Sequence, residues 1–152
     1  MSGPERGPLL SEAATIVDWA KFSRMRFELG ANFVRILGYF REDGEKSVAR
    51  IEEAMHRQDA AAIVLPAHTM KAEARQFGAE PLADLAEQIE IACRRALESH
   101  LFPDDILPEV AKLRPLYLQT IAMLEEETNP LQQRRAGGAF GKKPSNQEFG
   151  RL

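Results

Sequence analysis

Apolar residues along this chain recur every three or four positions, and no segment alternates apolar and polar over a useful length. The first spacing puts apolar side chains on one face of a helix; the second would have indicated a strand. The pattern therefore predicts helices and no sheet. Ser11, followed by Glu12, Ala13 and Ala14, reads as an N-cap opening a short helix to about Ala20. A longer helix follows, with Phe22, Met25, Leu29, Phe33, Ile36, Leu37 and Phe40 in phase. It weakens at Arg41–Gly44 and resumes at Val48, Ile51 and Met55, so Gly44 marks a break or a kink. The next helix spans about Asp59 to Phe77, and Gly78 suits its C-terminal residue because a positive φ costs glycine little.

Another helix begins near Pro81, a good first-turn residue, and is expected to bury Leu82, Leu85, Ile89, Cys93 and Leu97. Ser99–Pro103 interrupts it. Asp104 or Asp105 is expected to cap a last helix that carries Ile106, Val110, Leu113, Tyr117, Ile121 and Leu124. Pro115 lies inside that pattern, where it removes a ladder hydrogen bond and favours a bend. Amphipathic helices joined by short loops predict an all-α fold, an antiparallel four-helix bundle preceded by a short extra N-terminal helix. Trp19, the only tryptophan, would pack that extra helix on the bundle.

The periodic part covers about residues 11–127. Residues 1–10 hold two Pro and two Gly and are expected to be flexible, and residues 128–152 read as a disordered basic tail. The 152 residues carry a net charge of −3. Arg134, Arg135, Lys142, Lys143 and Arg151 against Glu148 give the tail +4, which leaves −7 on the rest of the chain. An acidic body does not favour nucleic acid. No apolar run approaches the roughly 20 residues that span a bilayer. The N-terminus has no pattern of a secretory signal, and a lone Cys93 forms no internal disulfide, so the expectation is a cytoplasmic location; one complete bundle needs no partner to close its core, so the expectation is a monomer.

On a wheel of the Asp59–Phe77 helix, Ile63, Ala67, Met70, Ala74 and Phe77 lie within about 40° of one line, a stripe able to face the core. His68 lies about 140° from that line, with Lys71, Ala72 and Arg75 on the same outer side. A neutral imidazole is a nucleophile near pH 7, and an exposed one can reach a side chain of another protein. Lys71, one turn on, can place an ammonium beside phosphoryl oxygens. Arg75 could contact a partner or the phosphoryl group, and small Ala72 keeps the surface low.

The run Ala67-His-Thr-Met-Lys-Ala-Glu-Ala-Arg-Gln-Phe-Gly-Ala79, followed by Leu82, Leu85 and Glu90, resembles the signature of histidine-containing phosphotransfer (HPt) domains. That pattern runs Ala-His-x-Leu-Lys-Gly-x-Ser/Ala-x-x-x-Gly-Ala-x-x-Leu. The resemblance implies that His68 is the phosphoacceptor, Lys71 a phosphoryl contact and Gly78 the glycine that ends the helix. It implies a phosphorelay carrier rather than a kinase. The partners would be response-regulator receiver domains and a hybrid or cognate histidine kinase, with Ala72, Arg75 and Gln76 as docking candidates. No cofactor is implied for this chain; Mg²⁺ would sit on the receiver. No glycine-rich nucleotide loop occurs.

The chain departs from the pattern at Ala72, where glycine is usual, and at Glu73, whose carboxylate would repel a phosphoryl group unless it points aside or pairs with a cation such as Arg75. Pro66, two residues before His68, deletes an amide that would bond to the Ala62 carbonyl and favours a kink. These departures define the alternative, a diverged HPt-like docking module without phosphotransfer. A metal-binding bundle using His56, His68 and His100 has less support, because His68 faces outward and Glu-x-x-His occurs once only, at Glu53–His56. No metal ligand is therefore assigned.

Overall fold

Asp18 begins the first helix of the computed structural model, which describes residues 16–128. Its side chain accepts from the amides of Ala20 and Lys21, so helix α1 runs Trp19–Leu29. Ser11 lies outside the described residues. Residues 16–18 are not helical, which overturns the expected short helix reaching Ala20. The extra N-terminal helix is instead α1 itself. Gly30, at φ +56°, opens a 3-10 turn over Gly30–Asn32 that separates α1 from α2 (Phe33–His56).

The break therefore falls at Gly30. Gly44 lies inside an uninterrupted α2. The apolar period runs through Gly30 because Phe22 and Phe33 bury on both sides of the turn, so periodicity alone could not reveal it. Asp59 caps α3 (Ala60–Gln76) by accepting from the Ala62 amide. Gly78, at φ +80°, ends the turn into α4 (Glu80–Ser99), which has Pro81 in its first turn. The final helix, α5 (Leu107–Thr128), starts from a 3-10 turn over Asp104–Ile106. Neither Asp104 nor Asp105 caps it: the residue before the turn is Pro103, with no side-chain hydrogen bond.

Short links at 57–59 and 77–79 make α2, α3 and α4 antiparallel neighbours. α5 packs on α2 and α4, closing a four-helix bundle with α3 diagonal to it. The stripe read from sequence, Ile63, Ala67, Met70, Ala74 and Phe77, is buried to within 1%. Leu82, Ile89, Cys93, Leu113 and Leu124 complete the core beside it. Leu97 does not join them: it is 44% exposed near the end of α4, where its neighbour Ala96 faces the core instead.

An aromatic chain ties the pieces together. Trp19 meets Phe22 edge-on at 5.0 Å, and Phe22 meets Phe33 likewise at 5.3 Å. Phe33 continues to Phe77 at 5.7 Å, Phe77 stacks on Phe40 at 5.2 Å, and Phe40 meets Tyr117 edge-on at 6.2 Å. Such pairs add about 0.5–1.5 kcal/mol each beyond burial. Outside, Arg114 of α5 binds both oxygens of Glu52 at 2.9 and 3.0 Å and Glu45 at 2.9 Å, a fork that fixes α5 against α2. No helix among the described residues is long and apolar enough to cross a membrane.

Candidate functional site

α3 carries the site because its inward stripe leaves a polar ridge on the opposite side. Pro66 is buried within α3, and the helix continues past it to Gln76. His68 stands on the ridge with its side chain 51% exposed. Its ring leans toward α4, where Glu90 Oε2 lies 3.0 Å from Nδ1. Glu90 is itself 5% exposed. Lys71 Nζ approaches Glu90 Oε1 at 2.9 Å, and Arg94, one turn along α4, reaches Oε2 with Nη2 at 2.9 Å and Nε at 3.0 Å.

Burial pushes the Glu90 carboxyl up, but contacts with Lys71, Arg94 and His68 together outweigh it and hold the group down at about 2. Glu90 is therefore ionised at neutral pH and can only accept a hydrogen bond. A neutral His68 then carries its proton on Nδ1, donates it to Glu90, and keeps a free lone pair on Nε2.

The ridge changes character toward the C-terminal end of α3. Arg75 binds Glu87 at 2.7 Å, Asp84 at 3.5 Å and Glu80 at 3.9 Å, so it is committed to α4. Ala72 and Gln76 are exposed on the crest. Gly78 lies below them, where a Cβ would come within 2.8 Å of the Asp18 carbonyl oxygen. Its own carbonyl accepts from the Asp18 amide at 2.8 Å, so the tight turn is also the seat of α1.

Glu73 faces the other flank of α3. Burial, followed by the charge and hydrogen bond of Asp43 on α2, pushes its carboxyl up to about 7. It points away from His68, and its partner is Asp43 rather than Arg75.

His68, Lys71 and Glu90 thus form one cluster, with Arg94 attached through Glu90. Glu90 entered the reading of the sequence only as part of the motif, with no function assigned to it, and Arg94 did not enter it at all. The signal was available for Glu90: it follows Ile89 on the flank of the apolar stripe of α4, and a carboxylate there needs a cation. His56 lines a cavity with Glu52 and Asp104, and His100 another with Arg57 and Leu101, so the three histidines stand apart. No group of three or more metal-binding side chains gathers among the described residues.

Comparison with curated protein sequences finds no match. Among solved structures, the fold is similar to histidine-containing phosphotransfer protein B (HptB) from Pseudomonas aeruginosa PAO1, with a TM-score of 0.67 at 19% identity over 80% of this chain and 97% of that one. At that identity the likeness concerns the fold. The family model of the Hpt domain matches residues 35–127, from early α2 almost to the end of α5 and through the whole His68–Glu90 cluster. The chain belongs to the Hpt domain family, and its role is that of a histidine phosphotransfer carrier.

Proposed function

We propose that His68 accepts a phosphoryl group from the aspartyl phosphate of a receiver domain and passes it to the aspartate of another. The observation that carries this reading is the 3.0 Å contact of His68 Nδ1 with an ionised Glu90, on a ring half open to solvent. Nε2 attacks phosphorus; the P–N bond forms as the P–O bond to aspartate breaks, and the electron pair returns to the carboxylate. The Nδ1 proton stays in place, and Glu90 balances the positive charge that develops on the ring. Lys71 neutralises charge on the transferred oxygens, since phosphoryl transfer depends mainly on position and electrostatics. The reverse path serves the second receiver.

The chain acts as a carrier without its own nucleotide chemistry, with Mg²⁺ on the receiver and a hybrid or cognate histidine kinase upstream. A cytoplasmic monomer fits this role, since the bundle closes its core within one chain. The test is transfer from a phosphorylated receiver to wild type and to His68→Gln. Acid-labile label on wild type alone is the expected result. Label that persists in the variant excludes His68. Binding of receivers without any label on wild type supports a docking module instead.

A further inference from the structure

A groove of about 620 Å³ runs between the last turns of α2 and the first turns of α5. Its floor is apolar: Met55 comes from α2, and Leu107 and Val110, one turn apart, come from α5. Val110 is buried, whereas Leu107 is 56% exposed. The ends of the groove are acidic. Asp104 lies in the 3-10 turn just before Leu107 and lines one end. Glu52 lines the other, because the Arg114 that binds it stands one turn beyond Val110 along α5. The two carboxylates thus bracket an apolar floor that Leu107 and Val110 extend over roughly 5 Å of helix rise.

No contact within the fold uses the Asp104 carboxylate. Its amide donates to the Phe102 carbonyl, while its side chain makes no ion pair or hydrogen bond among the described residues. Gln58, which follows α2 at φ +56°, lines the same groove and adds an amide acceptor. Glu52 gives both oxygens to Arg114, yet Glu45 shares that guanidinium, so the two acids keep one net negative charge between them.

Glu52, His56 and Asp104 do not gather closely enough to share a metal ion, since no group of three metal-binding side chains forms among the described residues. A ligand that satisfies both ends must be longer than an ion. It carries a cation at each end and a saturated chain between them. An exposed ion pair alone contributes little. Two pairs joined by one chain across an apolar floor gain from burial of the chain and from the linkage itself.

We infer that the α2–α5 groove binds a linear aliphatic diamine, with one ammonium on Asp104, the other on Glu52, and the methylene chain over Leu107 and Val110. His68 stands on α3, diagonal to α5, so this site lies apart from the phosphotransfer cluster and does not depend on its chemistry.

The probe is pentamethylenediamine, titrated at constant ionic strength into full-length protein and followed by amide chemical shifts. Saturable shifts should concentrate at Met55–Gln58 and Asp104–Ala111. Pentylamine, with one cation, should bind about tenfold more weakly, and pentamethylene glycol, with none, should give no saturable shift. Asp104→Asn should weaken the diamine about tenfold. Asp105→Asn, at a neighbouring carboxylate that does not line the groove, should bind like wild type. Leu107→Ala should weaken binding severalfold while the circular dichroism spectrum stays unchanged. Labelling of His68 by phosphoramidate, a small donor that needs no partner, should proceed at the same rate with and without the diamine.

Equal affinity for the diamine and the glycol overturns the charge recognition and leaves only an apolar surface. Pentylamine that binds as tightly as the diamine removes Glu52 and overturns the bridge. A loss in Asp105→Asn as large as that in Asp104→Asn would mean general attraction of cations to an acidic body, and overturns the site. So does the absence of saturable shifts, or slower labelling of His68, which would place the diamine in the Glu90 cluster instead.

Discussion

Tyr117 of α5 lies where a side chain on Gly44 of α2 would have to stand: a Cβ there would meet Tyr117 Cζ and Oη at 2.9 Å. The phenol packs against the bare helix at Gly44 and donates its hydroxyl to the Arg41 carbonyl. Gly44 is therefore a packing residue within a continuous helix. Ala in place of Gly44 would gain about 1 kcal/mol of helix propensity. Overpacking against a ring buried at 2% exposure costs about 1–3 kcal/mol. Gly44→Ala should thus lower stability by about 1 kcal/mol in urea unfolding. In a Tyr117→Leu background the same change should become neutral or stabilising; a destabilisation that persists would show that the ring is not the cause.

Glu90 makes the site acid-sensitive. Its folded pKa, held at about 2, lies below the ordinary carboxylate value near 4.5. The stability this provides is fully present above pH 4.5 and is lost as pH falls toward 2. Because His68 and Arg94 are half exposed, solvent reduces the contribution to about 2 kcal/mol. Glu90→Gln should remove that part of the acid slope in thermal melts between pH 5 and 2. It should also slow phosphotransfer, since the Nδ1 proton loses a charged acceptor. A variant with an unchanged acid slope would show that the carboxylate is not under strong cationic influence.

Glu73 has the opposite sign. Its folded pKa, near 7, lies above the ordinary value, so the folded state holds a proton that the unfolded chain releases. Stability then declines as pH rises from about 4.5 through 7 and levels off above. The groups facing it are Asp43 on α2 and the Tyr117 hydroxyl on α5. Glu73→Gln should melt higher than wild type at pH 8, and its melting temperature should vary less between pH 5 and 8. Parallel pH profiles for the two proteins would refute the shared proton.

How much of this was legible in the sequence follows from what periodicity can carry. It gave the helix phases, the core face of α3 and the outward His68, because those depend on spacing within one helix. It missed the Gly30 turn, since both sides of that turn bury aromatics in phase. It misjudged Leu97, because Ala96 and Leu97 both fit the spacing from Cys93 and only packing shows that Ala96 takes the core position. The contacts of Glu90 and Arg94 escaped because they depend on register between α3 and α4, which a single helix does not encode. Glu73 illustrates the same limit: which neighbour it meets was decided by the packing of α2, and the partner proved to be an acid.

Gly78 joins two constraints, and replacing it should separate α1 from the bundle. Its φ of +80° is a conformation that other residues adopt with strain, and a Cβ would press on the Asp18 carbonyl at 2.8 Å. Relief requires the α3–α4 turn or the start of α1 to move, which breaks the 2.8 Å hydrogen bond from the Asp18 amide. The Lys21–Glu80 ion pair at 2.6 Å is the next contact along α1 and would loosen with it. Gly78→Ala should therefore cost about 2 kcal/mol or more. Amide hydrogen exchange should speed up first in Trp19–Leu29, ahead of the interior of α3 and α4, whose hydrogen bonds do not depend on that turn. His68 and Glu90 lie higher on those helices, so phosphoramidate labelling of His68 should survive at temperatures where the variant remains folded. Uniform acceleration of exchange across all five helices would mean instead that α1 is an integral part of the cooperative core.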